Sequence, residues 1–145
     1  MEERFKVSMT VGLILINKEN EILLMKRCNT GYMDNKYALV AGHLEKNESL
    51  SCAMIREAKE EIGIDICSKD IEFVCAIRRG DNDTYVNNYF KCNKYEGSIE
   101  NLEKQKCSEL KWFDINNLPR NIIPNDKRAI NNMINNIVLD EYDFK

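Results

Sequence analysis

Residues Gly42 to Ile64 read GHLEKNESLSCAMIREAKEEIGI, and this stretch decides the fold. From about Glu48 to Ile62 it reads as a helix, and Gly63 stands where a helix stop favours glycine. On that helix Glu57, Glu60 and Glu61 fall at i, i+3 and i+4 and share one edge. Leu50, Met54, Ile55, Ala58 and Ile62 form an apolar stripe beside it. One edge can therefore pack on a sheet while its neighbour carries clustered carboxylates. Like charges at this spacing repel. The cluster is read either as a solvated acidic face or as a site for a hard divalent cation. Such an ion takes carboxylate and water oxygens together with phosphates. Arg56, four residues before Glu60, can pair with it and hold it in one rotamer. Asn47 or Glu48 is placed to start the helix. Gly42 lets backbone approach a ligand, and the Ala41 carbonyl just before it is a candidate oxygen ligand; an ordinary turn glycine is the plainer reading.

The surrounding chain alternates strand and turn signals. Val7 to Ile16 is a β-rich apolar run, Asn17 to Asn20 a turn, and Ile22 to Met25 a second strand, which predicts a hairpin. Cys28 to Lys36 reads as a loop and Tyr37 to Val40 as a short strand. Ile71 to Ile77 and Tyr85 to Cys92 read as strands around the turn at Gly80 to Asp83. Leu110 to Phe113 is a further strand, and Pro119 and Pro124 bracket a loop. Asp126 to Val138 carries Ile130, Met133, Ile134 and Ile137 at helical spacing. The expected fold class is α/β, a helix–sheet–helix sandwich with a mixed sheet.

With 145 residues, one domain spanning 1–145 is expected. A net charge of −3 argues against binding a nucleic acid polymer, which wants a basic face. A single histidine, His43, excludes multi-histidine metal centres. No run approaches membrane-spanning length and MEERFKVSMT lacks a signal-peptide core, so a cytoplasmic protein away from membranes is expected. The six cysteines form no CxxC pair and are read as reduced, mostly small core residues.

Gly42, Glu48, Arg56, Glu57, Glu60, Glu61 and Gly63, with apolar Ala58 and Ile64, match Gly-x5-Glu-x7-Arg-Glu-U-x-Glu-Glu-x-Gly-U. This resembles the Nudix box. The resemblance extends to MutT-like members over about residues 7–130, through Val11 to Ile14, Glu21 to Gly42, and Asn101 to Cys107 with Trp112-Phe113 and Leu118-Pro119. Two positions depart from the family's usual form. Lys104 stands where a proline is common, and Val40-Ala41 where Pro-Gly or Pro-Ala is common.

The resemblance implies the Nudix fold and a pyrophosphohydrolase of a small nucleotide, dependent on Mg²⁺ or alternatively Mn²⁺. It implies that Glu57, Glu60 and Glu61, with the Ala41 carbonyl, hold the metal, that Arg56 supports them, and that Glu103 is the candidate general base with Glu100 behind it. Arg27 and His43 are candidate phosphate contacts, Trp112 a candidate stacking residue, and Asn125 a candidate base reader. Phe113, Phe90 and Tyr32 are further aromatic candidates, and Arg78 and Arg79 either meet phosphates or form an exposed turn. Arg79 stands where ADP-ribose hydrolases carry a proline, and Asp81 and Asn82 where dinucleoside polyphosphate hydrolases carry a tyrosine. A nucleoside triphosphate, cleaved to monophosphate and pyrophosphate, is therefore the expected substrate, with oxidised purine nucleotides as a specific guess. The alternatives are nucleotide sugars, dinucleoside polyphosphates, or a sensing domain without turnover. A monomer and a homodimer are both compatible with the sequence.

Overall fold

The computed structural model describes residues 2–145. The elements run β1 (Ser8–Leu15), β2 (Glu21–Arg27), β3 (Tyr37–Ala38), β4 (Val40–His43), α1 (Leu50–Ile62), β5 (Glu72–Arg79), β6 (Tyr85–Cys92), β7 (Cys107–Asp114), α2 (Pro124–Asn135) and β8 (Leu139–Tyr142). Five strands form one sheet in the order β4-β1-β6-β5-β8, and three form another, β3-β2-β7. The larger sheet is mixed: β1–β6 and β5–β8 are parallel, while β1–β4 and β5–β6 are antiparallel.

The sandwich is legible in the alternation of β1 and β2. Leu13, Leu15, Leu23 and Met25 belong to the core beneath α1, with Met54, Ala58 and Ile62 of that helix. Ile14, Ile22 and Leu24 point the other way, into the core beneath α2, with Ala129 and Ile130. Successive strand side chains face opposite sides of a sheet, so strands covered on both faces read as unbroken apolar runs. Ser49 caps α1, its hydroxyl accepting from the Cys52 N–H, two residues inside the predicted start. Gly63 ends it with φ 77°, a left-handed conformation that glycine adopts without strain.

Two strand readings need correction. The predicted β1–β2 hairpin survives as the turn at residues 17–20 and one bridge, Ile16 to Ile22; beyond it the strands enter different sheets. The expected strand Tyr37 to Val40 is two strands, β3 on β2 and β4 on β1. The break falls at Leu39, whose N–H donates to the Asp126 carboxylate (2.9 Å) instead of to a ladder. Nothing in the sequence suggested β8: α2 stops at Asn136 (φ 56°), and the chain turns into Leu139–Tyr142 beside β5. Cys75, Cys92 and Cys107 are buried, but Cys52 and Cys67 are exposed. No described helix is long and apolar enough to cross a membrane.

Asp126 ties α2 to both sheets. It is buried, and besides Leu39 it accepts from the Tyr89 hydroxyl of β6 (2.8 Å). Burial raises its carboxyl to about 6, against the pull of those two donors. A raised acid binds its proton more tightly folded than unfolded, so this group's contribution to stability declines as pH rises from about 4 to about 6. Asp126→Ala should cost about 2–4 kcal/mol, because it strands two buried donors at about 1–3 kcal/mol each. Urea denaturation at neutral pH checks this, and a loss under 1 kcal/mol would contradict it.

Candidate active site

A cleft of about 740 Å³ opens where the two sheets part. One wall is the acidic edge of α1, and Glu57, Glu60 and Glu61 all line it. Ala41 and Gly42 of the edge strand β4 adjoin them. Two rows of side chains cross the facing strands: His43, Thr10 and Asn87, then Ala41, Gly12 and Tyr89, each row paired in register. The first turn of α2 contributes Asn125 and Asp126, and the 28–36 loop contributes Asn29, Thr30 and Tyr32.

Arg56 organises the acidic wall. Its guanidinium donates to Glu48 (2.6 and 3.0 Å), Glu57 (2.9 Å), Glu60 (3.3 Å) and the His43 carbonyl (3.0 Å). The bond to Arg56 holds Glu48 below its ordinary range, and the bond to Glu48 raises Arg56 further. Glu48 is therefore the anchor of this arginine. Burial raises Glu57, although Arg56 draws it down. Glu61 accepts from the Ala41 N–H (3.1 Å), yet burial first, then the Glu57 charge, push its carboxyl up to about 8.

The role of Gly42 differs from either sequence reading. It lies within β4, and a Cβ there would sit 2.0 Å from the Glu57 carboxyl carbon. Its missing side chain is the space that the Glu57 carboxylate occupies.

The residues fit a divalent cation by charge: two half-buried carboxyls repel each other, and more carboxylate surrounds them than Arg56 neutralises. They are not already closed around an ion. Among the described residues, no three His, Cys, Asp or Glu side chains stand in metal-holding geometry. Arg56 holds one oxygen each of Glu57 and Glu60, and Ala41 holds one of Glu61, which leaves the second oxygen of each free of those bonds. Glu60, with 54% of its side chain exposed, is the carboxylate most open to an arriving ion.

Glu103 lines the cleft, and its charge helps raise both Glu57 and Glu61. Its loop is docked on the end of α1: the Glu100 and Leu102 N–H groups donate to the Ile62 and Glu61 carbonyls (3.0 Å each). Glu100 itself is not part of the cleft lining. Arg27 reaches the cleft but is partly spent on the loop, donating to the Tyr32 carbonyl (3.0 Å) and the Thr30 hydroxyl (3.2 Å). His43 lines the cleft, its ring 6.0 Å from that of Tyr85. Asn125 lines it as well. The structure does not bring Trp112 there. Trp112 pairs with Leu23 on β7 and packs against the α1-side core, where an indole next to apolar strands gains most. Phe90 is likewise core. Arg78 is a brace for the β5–β6 turn, donating to the Arg79 and Asp83 carbonyls.

Sequence reasoning missed Asp83, Tyr85, Asn87, Tyr89, Lys106 and Asp126 as cleft residues. For Tyr85, Asn87 and Tyr89 a signal existed, since they alternate along one strand. Lys106 and Asp126 carried none.

A family model described as NUDIX domain matches residues 6–133. The ADP-ribose pyrophosphatase of Methanocaldococcus jannaschii is 32% identical over 114 residues, covering 78% of this chain and 66% of that protein. The 8-oxo-dGTP diphosphatase of Escherichia coli is 37% identical over 59 residues, 41% of this chain and 45% of that protein. The chain thus spans about two thirds of the first and under half of the second. A MutT NUDIX hydrolase structure from Burkholderia pseudomallei superposes with a TM-score of 0.79 at 21% identity, covering 88% of this chain and 98% of that one. It shows the shared fold.

Two outcomes test the acidic wall. Gly42→Ala should leave the fold intact, since only a flexible carboxylate must move, and weaken Mn²⁺ binding measured calorimetrically by roughly tenfold. Unchanged affinity would refute the role given to Gly42. In EDTA, the raised Glu61 should make stability fall as pH rises from about 4.5 to about 8, because only the folded state keeps the proton there. Thermal melts of Glu61→Gln should be flatter across that window; parallel curves would remove Glu61 as the cause.

Proposed function

The chain belongs to the NUDIX family, whose domain model covers residues 6–133, and on that premise we propose a metal-dependent pyrophosphohydrolase of nucleoside triphosphates, one hydrolase domain over residues 1–145. The substrate is cleaved to a monophosphate and pyrophosphate. One observation carries the reading: Glu57, Glu60 and Glu61 line one wall of a cleft whose other walls are uncharged, aromatic and basic. Such a cleft holds phosphates against the acidic edge and a base against the strands.

Glu57, Glu60 and Glu61, with the Ala41 carbonyl, would hold Mg²⁺ or Mn²⁺. Bound there, a divalent cation neutralises the diphosphate and lowers the pKa of a bound water. Arg56 keeps Glu57 and Glu60 in place against their mutual repulsion. Glu103 takes the proton of the attacking water as its oxygen bonds to phosphorus and the anhydride P–O bond breaks in line. Arg27, His43 and Lys106 offer positive charge and donors to the phosphate oxygens from the opposite rim. Positioning and electrostatics provide most of the rate.

Oxidised purine nucleotides are the substrates assigned first, supported by the partial likeness to the 8-oxo-dGTP diphosphatase. A second reading is favoured by the likeness to an ADP-ribose pyrophosphatase, in which a sugar phosphate leaves instead of pyrophosphate. The products separate the two.

Glu60→Gln should lower Mg²⁺-dependent turnover roughly a hundredfold, about 3 kcal/mol of transition-state stabilisation, with an unchanged fold. Phosphate release is read with added phosphatase or pyrophosphatase, across normal and oxidised nucleotides, ADP-ribose and dinucleoside polyphosphates. Near-normal turnover in the variant would sink the metal assignment. No turnover of any substrate by the native protein would favour a sensing domain.

A further inference from the structure

Strand β8 was invisible in the sequence, yet it is locked onto the molecule from three sides. It runs parallel to β5, from Ala76 opposite Leu139 to Arg79 opposite Tyr142. The Gly80 N–H donates to the Tyr142 carbonyl (2.8 Å), and a Cβ at Gly80 would lie 2.0 Å from the Asp143 carbonyl oxygen, so a bare glycine lets the strand close. From α2, Arg128 grips Asp140 with two bonds (2.9 and 2.7 Å), and its guanidinium carbon lies 3.8 Å from the Tyr142 ring centroid. Asn132 adds a third bond to Asp140 (3.0 Å).

All this fixes the Tyr142 hydroxyl against the first turn of α2, where it donates to Oδ1 of Asn125. Asn125 lines the cleft. An amide has one accepting end and one donating end. Tyr142 takes up the accepting end, which leaves Nδ2 as the group that Asn125 has to offer a ligand. Asp126 beside it has each oxygen already accepting one bond, from Leu39 and from Tyr89.

We propose that Tyr142 is a positioning residue that orients the Asn125 amide and thereby selects a ligand whose edge presents a hydrogen-bond acceptor. This rests on the nucleotide reading above and names a class within it. A base with a carbonyl at that edge, a 6-oxopurine or 4-oxopyrimidine, meets a donor. A base with an exocyclic amine there sets donor against donor and leaves both unpaired, a heavy penalty where water is excluded. Selectivity is thus set from the far side of the helix, by a strand that touches no substrate.

The test is steady-state hydrolysis of GTP, ITP and UTP against ATP and CTP by the native protein, Tyr142→Phe, Asn125→Ala and the double variant. The native protein should favour the oxo bases in kcat/KM by about tenfold. Tyr142→Phe keeps the ring on Arg128 and loses only the hydroxyl. It should melt like the native protein and lose most of that preference through KM, with kcat nearly unchanged. Asn125→Ala should do the same, and the double variant should be no worse than Asn125→Ala alone. A preference unchanged in Tyr142→Phe, an equal loss of kcat for every base, or additive effects in the double variant would overturn the proposal while leaving the hydrolase reading intact. Failure of the native protein to hydrolyse any nucleoside triphosphate would overturn both.

Discussion

Three carboxylates on one helical edge repel one another, and the guanidinium of Arg56 is what makes that edge tolerable. It is the point at which the loop before α1, the helix itself and strand β4 meet, through Glu48, Glu57 and the His43 carbonyl. An arginine suits the task because its planar fork supplies several donors in fixed directions and keeps its charge at any pH a protein survives. Without it the wall would relieve its repulsion by protonation or by rotating its side chains into solvent. Either outcome would dissolve the geometry on which the cleft depends.

Around that constraint the remaining fold acts as scaffolding for two opposed surfaces. The acidic edge of α1 faces a polar floor built on β1, β4 and β6. Burial has the same sign of effect on both: it raises Glu57 and Glu61 on the wall and Asp126 on the floor. The compensations differ. Asp126 has two donors and is satisfied within the protein. Glu61 has one backbone donor and faces other carboxylates, so its balance must come from outside.

The acidic helix was legible because both of its periodicities, apolar stripe and carboxylate edge, are local. The cleft was legible wherever a side chain's role followed from the box or from alternation along one strand. It failed where partners are distant in sequence. Tyr37 to Val40 reads as one strand, and only the approach of Asp126 to Leu39 divides it between sheets. Trp112 reads as a stacking residue, but its register opposite Leu23 sends it to the core. Tyr142 and Asn125 are joined through an interstrand register that no short-range signal reports. The departure at Lys104 proves mild for a physical reason. The Lys106 and Cys107 N–H groups both donate to the Glu103 carbonyl, which places Lys104 second in a tight turn, a position where proline is favoured but not required.

The loop that carries Glu103 is fastened to α1 by main-chain bonds, from Glu100 and Leu102 to the carbonyls that the helix leaves open at its end. Main-chain bonds are indifferent to side-chain identity but not to chain length. Residues along this loop should therefore drift freely over evolutionary time, while insertions and deletions between Gly97 and Glu103 should be rare. Any change in the count would slide Glu103 along the helix end and out of step with the acidic edge. The spacing of this segment, more than its composition, is the trait to compare when homologous chains are aligned.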